Sequence, residues 1–103
     1  MPTTESAAAG GILRIGLIGY GSVGRPVAGA VLDGTVGGAA LTGILRARPA
    51  QGGTPPGVPV TDDVAAFLAT DPRVVVETGG HAALRRYGEA VLRSGRDVVT
   101  ISV

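Results

Sequence analysis

The sequence contains no cysteine and no lysine, and His81 is its single histidine. The absence of cysteine excludes disulfides, thiolate metal sites and cysteine nucleophiles. The absence of lysine excludes the phosphate-binding lysine of a Walker A loop and any lysine Schiff base. Because the carboxylates are scattered and one histidine is available, we expect no metal site.

Charge and hydropathy do not indicate a membrane or nucleic-acid partner. The formal net charge is +1, which gives no general attraction to a polyanion. No apolar run approaches the roughly 20 residues that a membrane-spanning helix needs. The leader, residues 1–11, has no apolar core, so we expect a disordered tail rather than a signal peptide. These features predict a cytoplasmic protein without nucleic-acid or membrane partners.

The chain is rich in small and β-branched apolar residues. Hydrophobic residues make up 45% of its 103 positions, whereas aromatic residues make up 3%. Valine, alanine, leucine and isoleucine suit a buried sheet flanked by helices. The length allows one domain with its own core, which we assign to residues 12–103.

Strand-like and helix-like patterns alternate along the chain. Short β-branched runs predict strands at 12–18, 40–45, 73–78 and 97–103. A short extended piece is predicted at 58–60. Helical spacing predicts helices that begin near Ser22, after an N-cap at 61–63, and at His81. This order predicts an α/β fold of the Rossmann type. We expect a doubly wound parallel sheet of about five strands, three αβα layers and right-handed crossovers.

The first predicted helix carries a recurrent apolar spacing. The residues at positions i, i+4, i+7 and i+8 are Val23, Val27, Ala30 and Val31. We expect these residues to form the buried face of the helix.

The segment between the first strand and this helix reads GYGSVG and matches the G-x-G-x-x-G pattern. The match carries weight because it closes a predicted strand and opens a helix. Gly19 would allow the turn, Gly21 would let a pyrophosphate approach the backbone, and Gly24 would let the helix lie close to the sheet. The intervening amides of Ser22 and Val23 would point at the diphosphate. The alternative is a set of packing glycines in a chain with 18 glycines.

The acidic residue that usually binds the ribose hydroxyls of NAD is missing. No aspartate or glutamate occurs between Asp33 and Asp62, and the second strand runs into Arg46 and Arg48. A guanidinium there suits the additional phosphate of NADP, and the alternative is a pair of solvated loop arginines. We predict NADP or NAD as the cofactor, with NADP accepted at least as well as NAD.

A second group of candidates lies at the carboxyl end of the third long strand, an edge where open α/β sheets bind ligands. The cofactor-binding candidates there are Thr78, Gly79, Gly80 and His81. We expect the glycines to allow close approach of a ribose or nicotinamide, and His81 either to face the crevice or to cap the helix. Glu77 is either a catalytic carboxylate or a partner of nearby backbone groups.

Two segments and the spacing between them resemble the amino-terminal half of L-aspartate dehydrogenases. The segments are RIGLIGYGSVG and VVVETGGHAALRRYGEAVLRSGRDVVTISV. The resemblance covers roughly residues 12–103, and its more specific parts are the Gly-His pair and TISV. It implies oxidative deamination of L-aspartate to iminoaspartate, with hydride transfer to NAD(P). The iminoaspartate made by such enzymes can feed NAD biosynthesis.

Two other families are similar. Homoserine dehydrogenases have this kind of nucleotide-binding domain, but their last strand resembles VVTANK with a catalytic lysine, whereas this chain has Val103 there and no lysine. A homoserine dehydrogenase-like enzyme therefore remains an alternative only. Dihydrodipicolinate reductases are similar in fold, but their substrate-domain signatures are missing.

In L-aspartate dehydrogenases the substrate domain and the catalytic histidine follow the position of Val103. We therefore expect a cofactor module that is inactive alone, with no catalytic residue to assign and an amino-acid substrate only with the missing domain. The alternatives are a stand-alone nucleotide-binding or sensing module and a domain for another nucleotide ligand such as coenzyme A. The uncharged VVTISV strand predicts self-association into a homo-oligomer.

Overall fold

The computed structural model describes residues 11–101. The elements follow in the order β1 (Leu13–Ile18), α1 (Gly24–Leu32), β2 (Ala39–Leu45), β3 (Val60–Thr61), α2 (Val64–Ala69), β4 (Val74–Glu77), α3 (His81–Arg93) and β5 (Asp97–Thr100). Apart from Gly11, the predicted tail lies outside the described residues, as do the last two positions of the strand predicted at 97–103.

The strands form one parallel sheet with β1 at its centre. Their order is β3-β2-β1-β4-β5, and every neighbouring pair is parallel. From β1 the chain crosses to β2 on one side, whereas β4 is followed by β5 on the other side. The sheet therefore has its topological switch between β1 and β4, where ligands of open α/β sheets bind. The predicted five-stranded Rossmann-type fold is confirmed.

Helices cover both faces of the sheet, as the three-layer prediction requires. On one face, Leu17 and Ile44 pack against Ala28 of α1. On the other face, Ile18 packs in one cluster with Phe67 of α2 and with α3. Adjacent residues of β1 supply the two clusters because successive side chains of a strand point to opposite faces.

The buried face of α1 differs from the predicted one by about one residue. Gly24, Ala28 and Val31 are its buried residues, whereas Val23, predicted to be buried, is 46% exposed. A Cβ atom at Gly24 would lie 2.7 Å from the carbonyl oxygen of Gly19. Close approach of Gly24 to β1 therefore outweighs burial of the larger Val23, whereas Val31 is buried as predicted.

The ends of several elements also differ from the predictions. The short strand is Val60–Thr61 rather than 58–60, and β5 ends at Thr100, so Ile101 lies outside it. The predicted N-cap of α2 is confirmed, since Asp63 Oδ1 accepts a hydrogen bond of 3.1 Å from the N–H of Ala65. Among residues 11–101, no helix has the length and apolar character needed to cross a membrane.

Candidate functional site

The turn between β1 and α1 depends on two glycines for the protein's own packing. Gly19 has φ +91°, a conformation that favours glycine, and a Cβ there would lie 2.9 Å from the Cα of Gly79. A Cβ at Gly24 would lie 2.9 Å from the hydroxyl oxygen of Thr78. The turn after β1 and the turn after β4 are therefore in close contact, and side chains at Gly19 or Gly24 would force them apart.

The middle glycine of the motif has a different environment. A Cβ atom built on Gly21 meets no protein atom within 4 Å. Gly21 lines an open cavity of about 530 Å³ together with Ser22 and Val23. Val23 is the N-cap of α1, and its side chain makes no capping hydrogen bond. A helix start left open in this way is suited to an anion such as a diphosphate.

Arg46 directly follows β2 and lines the same cavity. Its Nη2 donates a hydrogen bond of 2.8 Å to Oε1 of Gln51. Its Nη1 is buried and has no hydrogen-bond partner among the residues that the structure describes. A buried guanidinium nitrogen without a partner is costly, and a phosphate oxygen would satisfy it. The open space at Gly21 and this nitrogen both fit a phosphorylated dinucleotide.

The turn after β4 forms the opposite wall of the crevice. The hydroxyl of Thr78 lines the cavity and donates a hydrogen bond of 2.9 Å to the carbonyl oxygen of Ile18. Gly79 lines the cavity as well. Gly80 has φ +99° and precedes the first residue of α3. On the β4 side, the crevice is therefore lined by Thr78 and by the backbone of Gly79.

Glu77, the last residue of β4, is fully buried behind this turn. Its Oε2 accepts a hydrogen bond of 2.7 Å from the N–H of Gly80, and its Oε1 accepts one of 2.7 Å from the hydroxyl of Thr100. Of the two interpretations of Glu77, the structure favours the one with nearby backbone partners. The carboxylate fixes the turn and the end of β5.

His81 does not take either of the positions expected for it. The N-cap of α3 is Gly80, and no side chain caps the helix there. His81 is the exposed first residue of α3, and it lines neither this cavity nor the second one described below. The capping interpretation is therefore wrong, and a role of His81 in cofactor binding stays a prediction.

A second, mostly apolar cavity of about 250 Å³ adjoins the first. Leu45 of β2 lines it together with Ala83, Arg86 and Tyr87 of α3. The two cavities share Arg46 and the glycine turns, so they form one continuous crevice across the ends of β2, β1 and β4. An apolar chamber next to an anion-binding mouth suits a nucleotide base attached to its phosphates.

Several residues of this crevice were not predicted from the sequence. Tyr20 and Gln51 line the open cavity, and Arg86 and Tyr87 line the apolar one. The position of Tyr20 inside the glycine motif is a signal that could have identified it. Gln51 lies in a loop without periodicity, and no sequence pattern places it at the site. Among residues 11–101, no cluster of three or more metal-ligating side chains is present.

Comparison with known proteins connects this crevice to dehydrogenases. The family model for the NAD-binding domain of homoserine dehydrogenase matches residues 19–103. L-aspartate dehydrogenase 1 of Bordetella parapertussis is 36% identical over 95 residues, which cover 88% of this chain and 34% of that protein. The corresponding protein of Bordetella pertussis matches with the same identity and coverage. The chain therefore spans about a third of the length of these relatives.

Solved structures show the same fold. A crystal structure of S. aureus homoserine dehydrogenase superposes with a TM-score of 0.70 at 22% identity, covering 87% of this chain and 25% of that one. A second crystal structure of that enzyme gives a TM-score of 0.64 at 22% identity, covering 87% of this chain and 26% of that one.

These comparisons confirm the resemblance to L-aspartate dehydrogenases and the expectation of an NAD(P) cofactor. The family model begins at the first glycine of the motif and includes both walls of the crevice. Its match extends over most of the chain. The chain therefore belongs to the family of homoserine dehydrogenase NAD-binding domains, and it is homologous to L-aspartate dehydrogenases.

Proposed function

We propose that this chain is the NAD(P)-binding part of an oxidoreductase resembling L-aspartate dehydrogenase, and that it does not catalyse the reaction alone. The observation that carries the proposal is the continuous crevice, which joins an uncapped helix start to a buried, unpartnered Arg46 nitrogen. Both features favour a ligand with a diphosphate and a further phosphate.

Each group of residues has its own role in the proposal. Gly19, Gly21 and Gly24 shape the diphosphate site, with the amides of Ser22 and Val23 beside them. Arg46 holds the 2′-phosphate of NADP. On the other wall, the turn comprising Thr78, Gly79, Gly80 and His81 borders the ribose and nicotinamide. When bound, the nicotinamide accepts or donates the hydride.

The amino-acid substrate requires residues beyond this chain. Hydride transfer needs the substrate held against the nicotinamide, and the crevice of residues 11–101 is already taken up by the dinucleotide in this proposal. The chain also spans 34% of the length of the L-aspartate dehydrogenases it matches. L-aspartate oxidation, the supply of iminoaspartate to NAD biosynthesis and a cytoplasmic location are parts of the proposal for the complete enzyme.

Titration of the chain with NADPH and NADH tests the proposal. We expect both to bind and NADPH to bind at least about tenfold more tightly, because a hydrogen bond to a charged group contributes about 1.5–3 kcal/mol. Isothermal calorimetry or nicotinamide fluorescence measures both dissociation constants. In the same samples, L-aspartate with NADP⁺ should give no NADPH.

The Arg46→Ala variant is the control for the phosphate contact, and it should lower affinity for NADPH while leaving that for NADH unchanged. Equal binding of the two cofactors, or tighter binding of NADH, by the unmodified chain would contradict the proposed preference. Production of NADPH from L-aspartate or L-homoserine would contradict the proposal that the chain is inactive alone. Displacement of NADPH by coenzyme A at similar concentration would favour a different nucleotide ligand.

We also propose that the chain self-associates through β5. This strand lies at the edge of the sheet, and the apolar residues Val99 and Ile101 at its end are 49% and 44% exposed. Edge strands with exposed apolar side chains tend to pair with another chain. Light scattering should therefore report a mass above that of the 10.1 kDa monomer, and Val99→Lys should restore the monomer. A monomeric mass for the unmodified chain would rule this pairing out.

A further inference from the structure

Arginines at the two ends of the sheet differ in their charge partners. Arg14, Arg73 and Arg96 lie near the amino ends of the strands and pair with aspartates, at N–O distances of 3.5, 3.9 and 3.2 Å. At the carboxyl edge of the sheet, within the described part of the chain, Arg25 and Arg46 form no ion pair. The edge that bears the crevice therefore has two guanidinium groups that form no ion pair with any described residue.

Arg25 is not part of the glycine motif, but its side chain reaches the loop that follows β2. Its Nη1 donates a hydrogen bond of 3.1 Å to the carbonyl oxygen of Gly53. Its Cζ lies 4.6 Å from the centroid of the Tyr20 ring, within the range of a cation–π contact. A Cβ atom on Gly53 would lie 2.9 Å from Nη1 of Arg25. The guanidinium of Arg25 therefore lies directly against the backbone of Gly53.

Arg46 reaches the same aromatic ring from the end of β2. Its Cζ lies 5.8 Å from the centroid of Tyr20, and its Nη2 is bonded to Gln51. Tyr20, Arg25, Gly53, Gln51 and Arg46 thus form a closed set of contacts, which we call the loop clamp. It fastens the loop after β2 to the glycine motif.

The loop clamp matters because the loop has little other support. Between the end of β2 at Leu45 and the start of β3 at Val60, the chain has no helix or strand, and four of the residues at 46–60 are proline. Proline donates no backbone hydrogen bond. Within the loop the N–H of Gln51 donates a hydrogen bond to the carbonyl oxygen of Arg48, whereas the contact of Arg25 with Gly53 joins the loop to α1.

We propose that Arg25 is a positioning residue for cofactor specificity. By holding the loop and Tyr20, it keeps the unpartnered Nη1 of Arg46 directed to the 2′-phosphate, and it thereby sets the discrimination between NADPH and NADH. This inference rests on the proposed function. It differs from a direct contact of Arg25 with the diphosphate, which is common to both cofactors and cannot discriminate between them.

The test compares the ratio of the dissociation constants of NADH and NADPH in the full chain. Arg25→Met keeps an unbranched apolar side chain but removes the guanidinium group with its charge and its donors. We expect the ratio to fall about tenfold while affinity for NADH stays within about twofold, since one well-placed charged hydrogen bond corresponds to about a tenfold change. Unchanged NADH binding also shows that the variant is folded.

A double-mutant cycle with Arg46→Ala distinguishes positioning from direct contact. If Arg25 acts through Arg46, then Arg25→Met should change the ratio by less than about twofold in the Arg46→Ala background. Equal weakening of both cofactors, or an effect that adds fully to that of Arg46→Ala, would overturn the inference.

Arg85 supplies the matched control, because it is an exposed arginine of α3 that lines neither cavity. Arg85→Met removes the same charge and should leave the ratio unchanged; an equal fall would mean that net charge, not the loop clamp, sets the preference. A ratio near one in the unmodified chain would overturn both this inference and the proposed NADP preference. A clear preference that Arg25→Met leaves intact would overturn the inference alone.

Discussion

Replacing Gly21 by valine should weaken NADPH binding by about a hundredfold and leave the protein folded. The loss of two phosphate contacts of about 1–1.5 kcal/mol each adds up to a change in binding free energy that corresponds to this factor. The side chain would project into the open cavity, where nothing of the protein lies within 4 Å of the Cβ atom. The diphosphate would then be held away from the amides at the start of α1. Calorimetric titration with NADPH measures the loss, and circular dichroism checks the fold.

Gly29 provides the control for this substitution. It lies within α1, and a Cβ atom there also meets nothing within 4 Å. Gly29→Ala should therefore leave NADPH binding unchanged and stabilise the helix by about 0.5–1 kcal/mol. Unchanged binding in Gly21→Val would show that the phosphates lie elsewhere. Gly19 and Gly24 do not allow the same separation of binding from folding, because side chains there would collide with the protein itself.

Phe67→Ala should destabilise the protein by about 3–5 kcal/mol. Phe67 is fully buried, and its ring lies against the backbone of Gly16 in the central strand, since a Cβ on Gly16 would lie 2.6 Å from its Cζ. No side chain on that face of Gly16 can fill the space left by the ring. Urea unfolding followed by circular dichroism measures the change, which is a large fraction of the roughly 5–15 kcal/mol typical of a domain.

Leu92→Ala is the comparison for Phe67→Ala. Leu92 is 60% exposed near the end of α3, so its truncation should change the free energy of unfolding by less than about 0.5 kcal/mol. Similar losses in the two variants would mean that the face covered by α2 and α3 is not the core on which stability depends.

The sequence predicted the sheet well because each buried strand has its own local signal. The valine run of β4 and the apolar run that ends at Gly19 place two central strands within one or two residues of their observed bounds. The glycine motif was predicted for the same reason, since its position between strand and helix is readable along the chain. Local patterns therefore identified the fold and the part of the site that lies between β1 and α1.

Contacts between distant residues were not predictable in the same way. The buried face of α1 follows from the approach of Gly24 to the carbonyl of Gly19, and a count of apolar residues favours Val23 instead. The contact of Arg25 with Gly53 joins positions 28 residues apart through a loop without periodicity. The contacts of Arg46 with Tyr20 and Gln51 likewise follow from the folded loop and not from a pattern along the chain.

The carboxylate of Glu77 connects the turn beside the crevice with the edge strand of the sheet. One of its oxygens holds the turn at Gly80, and the other holds the end of β5 at Thr100. A displacement of β5 therefore pulls on the same buried group that shapes the turn. Because linkage is reciprocal, a partner whose docking on β5 changed dinucleotide affinity would have its own affinity changed by the dinucleotide by the same factor. Glu77 is thus the one buried carboxylate, among the described residues, through which the turn beside the crevice and the edge strand are joined.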